Sequence, residues 1–195
     1  REVIASCFYA VTVRAFIDVL DALNAEQGPS ADRLERRQAF TELLGQIRKA
    51  VRDEYLSPDG KIGGDLQGLY VLALYAGVAE GDLAAKAAGH LVRLIEQNDG
   101  CLDTGFVSVP HLLDVLSENG YHDVALRLLM QRQSPSWLYQ VEHGATTIWE
   151  NWEAILPDGT VTGSSFNHYA LGCVGDWIYR RRSEEHTSEL QSRQV

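Results

Sequence analysis

The sequence predicts an all-α protein assembled from helical hairpins, and three observations carry that prediction. Apolar residues recur every three to four positions along most of the 195 residues, the spacing of one helix face. No stretch sustains the strict two-residue alternation of a half-buried strand. The helical segments also alternate in kind: one apolar on most sides, then one with a polar face, joined by short Gly, Pro and Asn turns.

From Val3 to Glu26, the residues Val3, Cys7, Val11, Ala15 and Val19 recur every four positions, joined by Phe8, Phe16, Leu20 and Leu23. Gly28-Pro29-Ser30 breaks this helix, and Ser30 is a suitable N-cap for the next. Ala31 to Leu56 predicts a second, more charged helix with Leu34, Phe40, Leu43, Leu44, Ile47 and Val51 inward, closed by the turn Ser57-Pro58-Asp59-Gly60. Asp65 to Ala79 is apolar nearly all round, which marks a helix covered on several sides. Asp82 to Gln97 follows with the stripe Leu83, Ala87, Leu91, Leu94, Ile95, and Asn98-Asp99-Gly100 stops it. Val107 to Ser117 is again apolar on most sides, with Pro110 in its first turns. Asn119-Gly120 ends it, and Tyr121 to Arg132 is amphipathic. The pattern loosens after Pro135, turns at Pro157-Asp158-Gly159, and closes with a helix from Asn167 to Arg181. A closed double ring of hairpins and an open solenoid both alternate in this way. The lack of a fixed sequence repeat counts mildly against the solenoid.

The composition narrows the function. A formal net charge of −10 argues against nucleic acid as a partner, because phosphate recognition wants a basic face. No run of about 18 apolar residues appears, so no membrane span is expected. Cys7, Cys101 and Cys173 are scattered and odd in number, and are expected as free, mostly buried thiols. The six histidines show no metal-ligand spacing, so neither a metal nor another cofactor is expected. The oligomeric state is left open.

The two ends differ from what lies between them. Arg1 stands inside an apolar-periodic segment without a signal-peptide pattern; the compartment stays open, with the cytoplasm favoured. Arg182 to Val195 is polar, and from Arg182 to Ser192 it resembles the conceptual translation of a short-read sequencing adapter. The expected organisation is therefore one domain over residues 1–181 and a non-native or disordered tail over 182–195.

Chemistry concentrates between Glu142 and Glu153, where His143, Trp149, Glu150, Trp152 and Glu153 crowd together, with Ser165-Phe166-Asn167-His168-Tyr169 just downstream. Carboxylates beside aromatic rings suit a sugar: rings cover the apolar C–H patches of a pyranose, and a carboxylate serves as acid, base or nucleophile at the anomeric carbon. The structural alternative is two solvated helix-surface acids, with Trp149 and Trp152 packed in a core.

Five strings occur in one order: Thr104-Gly105-Phe106-Val107, Leu116-Ser117-Glu118-Asn119-Gly120, Pro135-Ser136-Trp137, His143 through Glu150, and Ser165 through Ala170. Together they resemble the bacterial α-L-rhamnosidase family, in the C-terminal half of its six-hairpin (α/α)6 catalytic barrel, over Arg1 to Arg181. The resemblance implies an incomplete (α/α)6 barrel and hydrolysis of terminal α-L-rhamnose from glycosides or oligosaccharides, with inversion. It implies that Glu150 is the general base and that His168 contacts the sugar; Trp149 and Trp152 are candidate sugar-binding residues as aromatic rings beside carboxylates. It also implies that the general acid lies in an upstream segment this chain does not contain, so that this chain alone is inactive. Glu153 stands where the family usually has aspartate, and is expected to play a supporting or surface role. The alternatives are another six-hairpin glycosidase using the same base position, or a non-catalytic helical scaffold that binds carbohydrate.

Overall fold

Helix α1, Glu2–Gln27, buries Val3, Cys7, Ala10, Val13, Ile17 and Leu20, a stripe stepping by three and four that leaves the opposite face wet. The computed structural model describes residues 1–181; the tail set aside above, Arg182 to Val195, lies outside them. Gly28 stops α1 in a left-handed backbone conformation, with φ of 78°. The Ser30 hydroxyl then caps α2, Ala31–Tyr55, by accepting from the Arg33 N–H at 3.3 Å. α1 and α2 form an antiparallel hairpin closed by the Phe16 and Phe40 rings, 4.6 Å apart, and by the Asp21–Arg37 ion pair.

The expected inward set of α2 is only half realised. Leu44, Ile47 and Val51 are buried, whereas Leu34 is 50% exposed. The difference follows from what covers each half. Near its second half, Arg48 and Arg52 reach the carbonyls of Ala76 and Val78, each at 2.8 Å, and bring a further layer of chain over this end of the helix.

α1 also corrects an expectation. By length and composition it is apolar enough to cross a membrane, which a count of consecutive apolar residues overlooks because scattered polar positions interrupt the run. Core helices pass the same test. Its buried stripe, and its ring and ion-pair contacts with α2, are those of a helix in a packed hairpin.

Helix α3, Gln67–Tyr75, is shorter than the predicted Asp65 to Ala79. Asp65 takes a φ of 44° and Leu66 is extended, while Gly77 at φ 70° ends the run. Burial on several sides holds, with Tyr70, Val71, Leu72 and Ala73 all enclosed. The turn after α2 closes on Gly60, whose φ is 82°. A Cβ there would lie 2.6 Å from the Lys86 Cβ and 2.8 Å from the Ala87 nitrogen, so this helix–turn contact requires glycine. α4 spans Asp82–Gln97 as predicted.

The chain divides into two compact units, Arg1–Leu91 and the part from Val92 onward. In the second, α5, Val109–Glu118, and α6, His122–Leu129, form a hairpin turned at Gly120 with φ of 87°. A short helix not expected from the sequence follows: α7, Trp137–Glu142, capped by the Ser136 hydroxyl. The predicted last helix is broken in two, a 3-10 turn over Tyr169–Cys173 and helix over residues 174–181. That final stretch docks on the α5–α6 hairpin. Arg180 grips Asp114 through two bonds of 2.7 and 3.1 Å, and Trp177 stacks on His122. Among the described residues strand-like pairing is limited to two isolated bridges, Leu56 with Ile62 and Ile155 with Val161. The all-α prediction stands.

Candidate active site

Residues 143–168 follow α7 without regular secondary structure, so their shape depends on individual hydrogen bonds. α7 supplies three of the anchors from one turn and a half of helix. Trp137 donates from Nε1 to the Leu171 carbonyl at 2.8 Å. Tyr139 donates from Oη to the Ile155 carbonyl at 2.8 Å. Gln140, 3% exposed, places its side-chain amide between the Trp149 N–H at 3.4 Å and the Asn151 carbonyl at 3.3 Å. Burial holds the Tyr139 phenol above its ordinary pKa, and the charges of Glu153 and Asp158 push the same way. It therefore stays a donor.

The two strings singled out in the sequence lie against each other. Glu150 donates its N–H to the Ser165 carbonyl at 2.9 Å, and His168 donates its own to Ile148 at 2.8 Å. The Thr147 hydroxyl donates to the Phe166 carbonyl. The Glu150 carboxylate closes the set by accepting the Ser165 N–H on Oε2 at 3.0 Å. One oxygen is thus anchored to backbone, while Oε1 accepts no bond from the described residues and keeps its lone pairs. The donor is the backbone of Ser165, fifteen residues downstream.

Glu150 lines a cavity of about 320 Å³ together with Thr104, Gly105, Phe106, Asn151, Trp152, Ser164 and Leu171. The volume is at the lower end for a small-molecule site. Phe106, Trp152 and Leu171 make part of the wall apolar, and Glu150 is the one carboxylate among the lining residues. Thr104 is 6% exposed, and its hydroxyl has no hydrogen-bond partner among the described residues.

The two candidate tryptophans separate. Trp152 is half-buried at the cavity wall, its ring meeting Trp137 edge-on at 5.3 Å. Trp149 is instead a core residue, 2% exposed and edge-on to Phe166 at 5.5 Å, and offers no ring face to a sugar. The structural alternative weighed in the sequence therefore holds for Trp149. His168 is half-buried and stacks on the cavity residue Phe106 at 4.9 Å. Its Nδ1 accepts the Ala170 N–H at 3.3 Å, which leaves Nε2 as the protonated, donating nitrogen of the neutral ring. Glu153 is exposed. No cluster of three potential metal ligands occurs among the described residues.

Sequence reasoning missed Gln140 and the Ser165 amide. Gln140 carries no chemistry that a pattern would flag, and a backbone donor has no residue-type signature. Thr104 and Phe106 stood in the quoted strings without a role.

Over residues 1–181 the chain matches the family model described as the bacterial alpha-L-rhamnosidase 6 hairpin glycosidase domain. The alpha-L-rhamnosidase of Streptomyces avermitilis is 43% identical over 182 residues, which is 92% of this chain and 17% of that protein. That of Formosa agariphila is 32% identical over 164 residues, 82% of this chain and 18% of its own length. Among solved structures, the Streptomyces avermitilis alpha-L-rhamnosidase complexed with L-rhamnose superposes with a TM-score of 0.81 at 42% identity, covering 91% of this chain and 16% of that one. The native enzyme from Aspergillus terreus gives a TM-score of 0.80 at 30% identity over 89% of this chain and 20% of its own. The chain thus spans about a sixth of the length of its relatives, and the (α/α)6 fold that the resemblance implied is theirs. The chain belongs to the bacterial α-L-rhamnosidase six-hairpin glycosidase family.

Proposed function

We propose that this chain supplies the general-base side of an inverting α-L-rhamnosidase active site, acting on terminal α-L-rhamnose of glycosides or oligosaccharides. The carrying observation is the Glu150 carboxylate, anchored through one oxygen by the Ser165 N–H and bordering a partly apolar cavity. Inversion needs a water between base and anomeric carbon, and hence two carboxyls roughly 6.5–9.5 Å apart on opposite faces of the sugar. Glu150 takes a proton from that water on Oε1 as the water oxygen bonds to the anomeric carbon. The bond to the leaving oxygen breaks as the second carboxyl, contributed from outside this chain, protonates it. Trp152 and Phe106 wall the sugar, and His168 contributes its Nε2–H to a sugar hydroxyl. The Thr104 hydroxyl is a further group that a bound hydroxyl would satisfy, since a buried hydroxyl left unpaired costs about 1–3 kcal/mol. Trp149 supports the segment from the core.

The test is Glu150→Gln in a full-length enzyme carrying this segment. The amide keeps shape but cannot take the proton, so kcat on an aryl α-L-rhamnoside falls at least about a hundredfold, with KM changing far less. Azide needs no base; it attacks from the same face and restores part of the turnover, giving the β-rhamnosyl azide. Glu153→Gln, at an exposed position, loses far less. A Glu150→Gln enzyme near normal beside a dead Glu153→Gln enzyme would move the base to Glu153.

A further inference from the structure

We infer that Gln140 is the positioning residue for Glu150, an inference that rests on the reading of Glu150 as the base. Glu150 sits in a segment without helix or ladder, so the direction of its side chain is set by how firmly the backbone on either side is held. The Gln140 amide brackets it. Its oxygen accepts from the N–H of Trp149, the residue before, and its nitrogen donates to the carbonyl of Asn151, the residue after. These two partners fix the orientation of the amide, since the flipped form would set donor against donor and acceptor against acceptor. Glutamine offers a donor and an acceptor side by side at neutral charge whatever the pH, and asparagine, which does the same, is one carbon shorter.

The amide is itself immobilised. Gln140 is 3% exposed in a helix whose neighbouring side chains, Trp137 and Tyr139, are tied to Leu171 and Ile155. Its own carbonyl accepts the Ala145 N–H at 3.0 Å, which binds the start of the loop to the same residue. On the far side Ser165 holds Glu150 through both backbone and carboxylate. The base is therefore clamped from two directions, and the clamp on the α7 side is the Gln140 side chain. Displacement of a reacting group by about 1 Å is enough to cost up to about a hundredfold in rate.

The experiment is a cycle in the full-length enzyme carrying this segment. Gln140→Met keeps length and apolar volume but removes both bonds. In the Glu150 background, kcat on an aryl α-L-rhamnoside should fall about tenfold with KM within about twofold. In the Glu150→Gln background, the azide-supported turnover should be unaffected by Gln140→Met, because there is no base left to misplace. An equal loss in both backgrounds would show that Gln140 merely supports the fold, and an unchanged kcat would show that it does nothing; either overturns the inference. If Gln140→Met does not fold, Gln140→Glu carries the test. Protonated, that carboxyl donates and accepts like the amide; ionised, it opposes the Asn151 carbonyl. A new alkaline loss of kcat is expected with Glu150 present and none for the azide reaction in Glu150→Gln, and a flat profile overturns the inference. A fully active Glu150→Gln enzyme removes the base reading and this inference with it. A dead Glu150→Gln beside a normal Gln140→Met removes this inference alone.

Discussion

At the scale of single residues, two positions have consequences that do not involve the cavity. Cys7 lies inside the α1 stripe, 1% exposed, and burial pushes its thiol up to about 11 from the ordinary 9.0, because the thiolate would be desolvated. A folded-state value above the unfolded one means that the stabilisation is complete below about pH 9 and lost as pH rises toward 11, on the order of 2–3 kcal/mol in all. Urea denaturation from pH 7 to 11 should show this fall, and Cys7→Ala should flatten it. An unchanged pH slope in the variant would mean that another group titrates. Gly60 is the second. Its positive φ and the 2.6 Å approach to Lys86 forbid a side chain on two separate grounds, so Gly60→Ala should lose at least about 2 kcal/mol. A melting curve like that of the parent would show that the turn relaxes at little cost. Glu150 and His168 could be singled out at this scale because their strings are distinctive, and the structure lays those two strings against each other. The Ser165 amide that holds Glu150 was not, since backbone donors are alike in every sequence.

At the scale of elements, periodicity located α1 to α6 and missed α7. α1, α2 and α4 match their predicted spans within one or two residues because each carries a stripe long enough to show its period. α3 is shorter than its apolar run, because Asp65 at φ 44° with extended Leu66 before it, and Gly77 at φ 70° after it, take the backbone out of the helix. α7 has six residues, too few for a period, yet it organises the site. It cannot be stable by itself, since nucleation is costly and so short a helix repays little of it. What holds it is its cap and its side-chain anchors. The Ser136 hydroxyl, fully buried, accepts the Tyr139 N–H at 3.1 Å. Ser136→Ala should therefore cost about 1–2 kcal/mol, measured by chemical denaturation. It should also speed hydrogen exchange at Ala145 and Trp149, whose amides bond to Gln140. Loss of stability without faster exchange at those two amides would separate the cap from the loop.

At the scale of the whole molecule, the sequence disclosed the family because five strings kept their order, and order over about 70 residues cannot be met by local composition. It disclosed the helical class through alternation of covered and wet-faced helices, which the structure repeats in α3 with α4 and in α5 with α6. It did not disclose the cavity, which brings residues around 104, 150, 164 and 171 together. Such proximity is a product of folding, invisible to spacing along the chain. An inverting hydrolase needs a protonated carboxyl to assist the leaving oxygen as well as a base. The lining residues hold Glu150 and no other carboxyl, and the remaining polar side chains there, Thr104, Asn151 and Ser164, are too weakly acidic to protonate a departing alkoxide. The 195-residue chain alone should therefore not turn over an aryl α-L-rhamnoside, whatever the pH between 4 and 9, with turnover followed as release of the phenol. Glu150→Gln in the isolated chain should change nothing measurable, because a base without an acid for the leaving oxygen does not turn the glycoside over. Turnover by the isolated chain would place the acid within it. Exposed Glu153 and Asp103, beside the cavity residues Trp152 and Thr104 in the chain, would then be the first positions to replace.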